Sequence, residues 1–153
     1  MAQKIKSCWW FDGNAKEAVD YYVSVFPDSK IVNTMHYPNS AEEGLADFQK
    51  DMAGKELVID FELNGQSFMA LNAGPEFKFN EAVSFVVGCK DQEEIDYYWE
   101  KLSNVPEAEQ CGWCKDRYGL SWQIVPENMD ELLSRPNAFA HMMKMKKFVI
   151  DEL

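Results

Sequence analysis

At 153 residues, 46% of them hydrophobic, the chain suits one domain or two small fused halves around a real core. Its net charge of −11 would be repelled by the phosphates of nucleic acids and anionic membranes, so neither is an expected partner. No apolar run approaches the ~20 residues of a membrane span, and the opening Met-Ala-Gln-Lys-Ile-Lys lacks the apolar stretch of a signal peptide, so the expected address is cytoplasmic.

Residues 5–11 are β-branched and aromatic-rich and read as a strand, ended by Asp12-Gly13. A helix over 15–25 follows, with Asn14 or Asp12 available to cap it. Its Ala18, Tyr21, Tyr22 and Val25 fall at the spacing of a buried stripe. Phe26-Pro27-Asp28-Ser29 breaks the helix, and 31–37 read as a second strand. The polar loop 38–56 is either a lid or a surface excursion.

Residues 57–63 and 66–71 flank Asn64-Gly65, the strongest short signal for a hairpin. A two-residue turn sets Leu63 against Gln66, Phe61 against Phe68 and Asp60 against Met69, and opposed residues share a face. Ile59, Phe61, Phe68 and Ala70 therefore form an apolar face. Asp60, Glu62, Ser67, Met69 and Leu71 form a mixed one. Asn72-Ala73-Gly74-Pro75 begins a linker.

From Ala82 the plan repeats. Val83, Phe85 and Val87 alternate with Ser84 and Val86, and a helix spans 92–102. Glu17-Ala18-Val19-Asp20-Tyr21-Tyr22 matches Glu93-Glu94-Ile95-Asp96-Tyr97-Tyr98 about half a chain away, as duplication of a βαβββ module would produce. After the 104–110 loop, 111–126 reads as strand, turn, strand, with the turn at Asp116-Arg117-Tyr118-Gly119. Leu120, Trp122 and Ile124 point to the core. Ser121, Gln123 and Val125 form a face of mixed polarity, as a small-molecule pocket wall does. A short helix over 129–134 and a Met-rich segment over 139–150 close the chain. The methionines suit packing, edge covering or a partner.

The four cysteines, Cys8, Cys89, Cys111 and Cys114, are expected to be reduced. Cys111-Gly-Trp-Cys114 suggests a redox or zinc pair. A thioredoxin-type pair, however, opens a helix, and a structural zinc needs four ligands. Ordinary thiols are the expectation, with thiol redox chemistry a weaker third reading of function.

Several segments carry a resemblance. Gly112-Trp113, Lys115-Asp116, Tyr118-Gly119 and 121–126 resemble the signature of the PhnB-like branch of the vicinal-oxygen-chelate superfamily. So do Trp10-Phe11-Asp12-Gly13, Phe68-Met69-Ala70-Leu71-Asn72, Phe77-Lys78-Phe79-Asn80-Glu81-Ala82 and Lys144-Met145-Lys146-Lys147. The superfamily includes glyoxalase I, bleomycin-resistance proteins and extradiol dioxygenases. Members of the branch often carry the label 3-demethylubiquinone-9 3-methyltransferase. The resemblance implies an α+β fold in which two βαβββ modules curve into an open eight-stranded cup, usually paired into a homodimer. It spans 1–153 as one domain with halves near 1–78 and 79–153, the tail 127–153 being helical and edge-covering.

Laying the superfamily's metal-ligand positions on this chain gives Ser7, Met69, Ser84 and Gln123. These are poor ligands for zinc, nickel, manganese or iron, which take imidazole and carboxylate, and the histidines, His36 and His141, lie in other elements. No metal and no cofactor is therefore expected. With Trp9 and Trp113 these residues form the candidate ligand-binding set, and Asp60 is the candidate general base. The methyltransferase label finds no Gly-rich strand-to-helix turn of the common S-adenosylmethionine type. The leading reading is a metal-free cup for a small, partly aromatic or apolar organic molecule. The alternative is an enzyme on a small metabolite (a lyase, an isomerase or the nominal methyltransferase) using Asp60 or a recruited metal.

Overall fold

The Asn64-Gly65 turn closes its hairpin with both residues at positive φ, 51° and 79°. That is the combination a two-residue turn needs to match strand twist. The strands it joins, β3 (Glu56–Leu63) and β4 (Gln66–Ala73), pair in the expected register, Phe61 opposite Phe68 and Asp60 opposite Met69. The computed structural model describes residues 3–153. The chain divides into two compact units at the junction of Lys78 and Phe79.

In the first unit, β1 (Ser7–Asp12) lies parallel to β4, and β2 (Lys30–His36) lies antiparallel to β3. The result is an open sheet in the order β1-β4-β3-β2. Helix α1 (Ala15–Val25) buries Ala15, Ala18, Val19, Tyr22 and Val25 on one face of it. That face presents Phe61, Ile59 and Ala70, all buried. Burial of each large side chain contributes roughly 1.5–3 kcal/mol.

The first strand departs from expectation. Trp9, placed on the open face by the sequence reading, is 2% exposed and meets Tyr22 of α1 edge-on at 5.2 Å and Phe61 at 5.6 Å. Ser7 shares that side and accepts the Trp9 indole N–H at 3.0 Å. Trp10 takes the other face, where its indole donates to the Gly74 carbonyl at 2.8 Å and Phe77 packs edge-on against it. Trp9-Trp10-Phe11 offers a large apolar group at three successive positions, so alternation cannot fix its parity. The pairing with β4 does.

Capping differs too. The Asn14 side chain makes no cap bond. Instead Asn72, 2% exposed at the end of β4, accepts the Ala15 N–H with Oδ1 and donates to the Glu56 carbonyl. The 38–56 loop is pinned at its neck by Tyr37 N–H to Lys55 O and Gly54 N–H to Pro38 O. It contains 3-10 turns at Ala41–Glu43 and Asp47–Met52 and is anchored by buried Leu45.

The second unit repeats the plan with one strand fewer. β5 (Ser84–Cys89) is parallel to β7 (Ser121–Pro126), and β6 (Trp113–Lys115) is antiparallel to β7, giving the order β5-β7-β6. Among the described residues the strands therefore number four and three rather than eight. Where the second unit's counterpart of β2 would stand, Pro106 lacks a ladder N–H and opens a 3-10 turn, Pro106–Ala108. Helix α2 (Gln92–Leu102) is capped by Asp91, which accepts the Glu94 N–H, and it buries Ile95, Tyr98 and Leu102. Buried Tyr22 and Tyr98 occupy matching places in the repeated helical motif.

Asp116, 1% exposed, organises the β6–β7 turn. Its Oδ1 accepts the N–H groups of Tyr118 at 2.8 Å and Leu120 at 3.1 Å, and its Oδ2 accepts the Trp122 indole N–H at 2.9 Å. The strand before this turn starts later than expected. Cys111 and Gly112, at φ 50° and 83°, are the centre of a separate tight turn, with Gln110 and Trp113 exchanging both backbone hydrogen bonds. After α3 (Met129–Leu133) and α4 (Ala138–Met142), the tail docks on that turn. The N–H groups of Cys111 and Gly112 each donate at 2.8 Å, to the carbonyls of Met145 and Lys146. A Cβ at Gly112 would stand 2.5 Å from the buried Phe148 ring.

Candidate functional site

Each sheet has one face under a helix and one that is not. On the second sheet, Phe85, Trp122 and Cys114 share a row on the core side. One residue along, Val86, Gln123 and Trp113 share a row on the opposite face, flanked by the row Ser84, Ser121 and Lys115. Pairing across three strands thus brings together three of the sequence-predicted binding residues, Ser84, Trp113 and Gln123. The Gln123 Nε2–H donates to the Ser84 hydroxyl oxygen at 2.9 Å. Ser84, Gln123 and Trp113 are half-buried, and Val86 is 62% exposed.

Lys115 belongs to this face and was missed from the sequence as a site residue. Its ammonium pairs with Glu81 in the segment leading to β5. That hydrogen bond, together with the attraction of the lysine charge, holds the Glu81 carboxyl below the usual range. The signal was its spacing: Lys115 lies two residues after Trp113 and so faces the same way.

On the first sheet, Met69 stands on the open face as expected, in line with Cys8 on one side and Asp60 on the other. Ser7 and Trp9 do not join it. Asp60 accepts from the Lys6 ammonium at 3.3 Å, in a pair 27% exposed on the aspartate side. Trp10 and Leu71 complete that face.

The cysteines are all free thiols. Burial pushes Cys114 and Cys89 up to about 12, with neighbouring carboxylates adding to it. Burial, then Asp60, raises Cys8. These environments favour the neutral thiol over the nucleophilic thiolate. Cys111 sits in the tight turn with its Sγ 3.5 Å from the Met142 carbonyl. His36 lies exposed at the end of β2 and His141 exposed in α4. Among the described residues no three His, Cys, Asp or Glu side chains converge as a metal-ligand set, and no helix is long and apolar enough to cross a membrane.

The chain is mixed α+β, with two open sheets, each backed by a helix and each pairing its first and last strands in parallel, and its fold is shared with solved proteins. The chain belongs to the family described as 3-demethylubiquinone-9 3-methyltransferase, whose model matches residues 3–125. A PhnB protein from Bacillus cereus, provisionally described as a 3-demethylubiquinone-9 3-methyltransferase, is 34% identical. The match covers 80% of this chain and 99% of that one, with a TM-score of 0.63. These two findings place the chain in the PhnB-like branch. A Pseudomonas aeruginosa protein of known structure shares the fold at 16% identity, with 82% and 98% coverage and a TM-score of 0.59. No curated protein matches the sequence significantly.

Proposed function

We propose that the chain binds a small, partly aromatic or apolar organic molecule, on the open face of the second sheet. The observation that carries this reading is the Gln123–Ser84 hydrogen bond, standing half-buried between the Trp113 indole and Val86. The amide uses one N–H on Ser84 and keeps its carbonyl, a neutral acceptor suited to orienting a polar group. Apolar surface on either side supplies affinity, and a few placed polar atoms supply orientation.

The reading needs no metal: a glutamine carbonyl is a weak ligand beside a carboxylate. It also assigns no reaction, because the Asp60 carboxylate is held in an ion pair with Lys6. The same proposal takes the protein as a cytoplasmic homodimer, in which open sheet edges such as β2, with Val32 and Met35 exposed, find cover.

The test is ligand-observed magnetic resonance with a panel of small aromatic carboxylates and carboxamides, repeated on Gln123→Ala. At least one member should bind. Its affinity should fall by roughly fivefold or more in the variant, the loss of one buried hydrogen bond. If Gln123→Ala lowers thermal stability and leaves affinity unchanged, Gln123 is a structural residue and the reading fails.

A further inference from the structure

The binding reading leaves the charge of the ligand open, and the row beside Gln123 answers it. Ser84 receives the Gln123 amide N–H on its oxygen. Among the described residues, the Ser84 hydroxyl proton has no acceptor of its own. A serine hydroxyl carries one donor and two acceptor sites, so an amide seated on the oxygen turns the proton toward whatever stands above the sheet. The adjacent strand position is Ser121, and the next across is Lys115, a side chain with three donors and no acceptor. This row therefore offers hydrogen-bond donors from β5 and β6, one of them cationic, on a chain whose net charge is −11.

Lys115 stands two strands from β5, yet its partner Glu81 lies three residues before Ser84. The ion pair thus joins β6 to the segment that leads into Ser84, and Ser121, between the two in the row, is almost fully buried. Glu81 is 60% exposed, and Lys115 is 24% exposed. A pair whose carboxylate is this exposed contributes little to stability. Its carboxylate is therefore readily exchanged for another anion.

Resting on the binding reading above, we infer that this face takes a small organic carboxylate: its oxygens replace Glu81 on Lys115 and accept the Ser84 hydroxyl, while its apolar body lies along Trp113 and Val86. Glu81 then acts as a built-in competitor. It occupies the cation when the site is empty and yields it to ligand. The Gln123 carbonyl is left to accept an N–H or O–H adjacent to the carboxylate, so hydroxy- and amino-substituted aromatic acids fit best.

Salicylate and its neutral isostere salicylamide are the probes, titrated by calorimetry at low salt into wild type, Lys115→Met and Glu81→Gln. Wild type should prefer salicylate by about tenfold, the gain expected of one charge-assisted hydrogen bond. Lys115→Met should erase that preference and leave salicylamide binding within about twofold. Glu81→Gln should tighten salicylate several-fold, because the competing carboxylate is gone. Circular dichroism melts verify that both variants fold, and a charge-conserving Lys115→Arg should retain part of the preference if either does not. Equal affinity for the two probes, a preference that survives Lys115→Met, or no binding of either probe overturns the inference. In the first two cases the binding reading survives. In the third it is decided separately by the wider panel and Gln123→Ala.

Discussion

Replacing Asp116 with alanine tests how the second sheet is held in the shape that presents Gln123. The carboxylate accepts three N–H groups, two from the backbone of the turn and one from the Trp122 indole, and is itself 1% exposed. Truncation leaves all three donors without that acceptor, and two of them, the Leu120 N–H and the Trp122 indole, are in buried bonds. A buried donor left unpaired costs about 1–3 kcal/mol, so with partial relaxation the variant should lose about 4 kcal/mol. For a chain of this length that is a fall in Tm of roughly 10 °C. Asp116→Asn keeps Oδ1 for the two backbone donors but turns an N–H toward the indole N–H, so about 2 kcal/mol is expected. Trp122→Phe removes the opposing donor. Combined with Asp116→Asn it should recover about 1 kcal/mol relative to the sum of the single losses. Urea unfolding followed by far-ultraviolet circular dichroism, analysed at a common slope, gives all four values. A loss below about 1 kcal/mol for Asp116→Ala, or strict additivity in the cycle, would refute the argument that these bonds organise the turn.

Gly112→Ala places a methyl against Phe148 at a positive φ, and should destabilise by about 1–3 kcal/mol and release the tail to limited proteolysis after Met143. Burial pushes the Cys89 and Cys114 thiols up to about 12, from the ordinary 9.0, and keeps both neutral. Their contribution is complete below about pH 9 and is lost as pH rises toward 12, because there the unfolded chain sheds protons the folded one keeps. Cys114→Ala should flatten that alkaline decline in a pH series of urea midpoints, and an unchanged slope would exclude Cys114 as its source. Light scattering at micromolar concentration should return the mass of a dimer, and a monomer mass that holds on raising concentration would dispose of the homodimer.

The hairpin and both of its faces were legible because Asn64-Gly65 fixes a register and polar residues alternate with apolar ones along 57–71. The face bearing Ser84, Trp113 and Gln123 was legible for the same reason. Parity in β1 was not, since three successive aromatic residues can bury on either side and only the distant pairing of Trp9 with Ala70 decides. Asn72 as the partner of the first turn of α1 was hidden by its separation from Ala15 in sequence. Lys115 lay in plain view two positions after Trp113. A lysine at the end of a strand ordinarily reads as a solvated charge, and only its pairing with Glu81 in the second unit's fold shows it reaching along the sheet.

The parallel pairing of β1 with β4 also fixes an order of assembly. Ser7 cannot meet Phe68 until the whole intervening chain exists, whereas β3 and β4 need only their two-residue turn. During synthesis β1 emerges first and waits, its Trp9 and Phe11 without the surface that will cover them. In the second unit the equivalent closure, Ser84 to Ser121, spans about 40 residues rather than about 60. By chain statistics that difference costs only roughly 0.4 kcal/mol. What separates the two closures is therefore time rather than energy. The first strand of each unit is exposed to wrong partners for as long as its own hairpin is unmade, and β1, with two tryptophans and a phenylalanine, has the greater need of a chaperone's shelter.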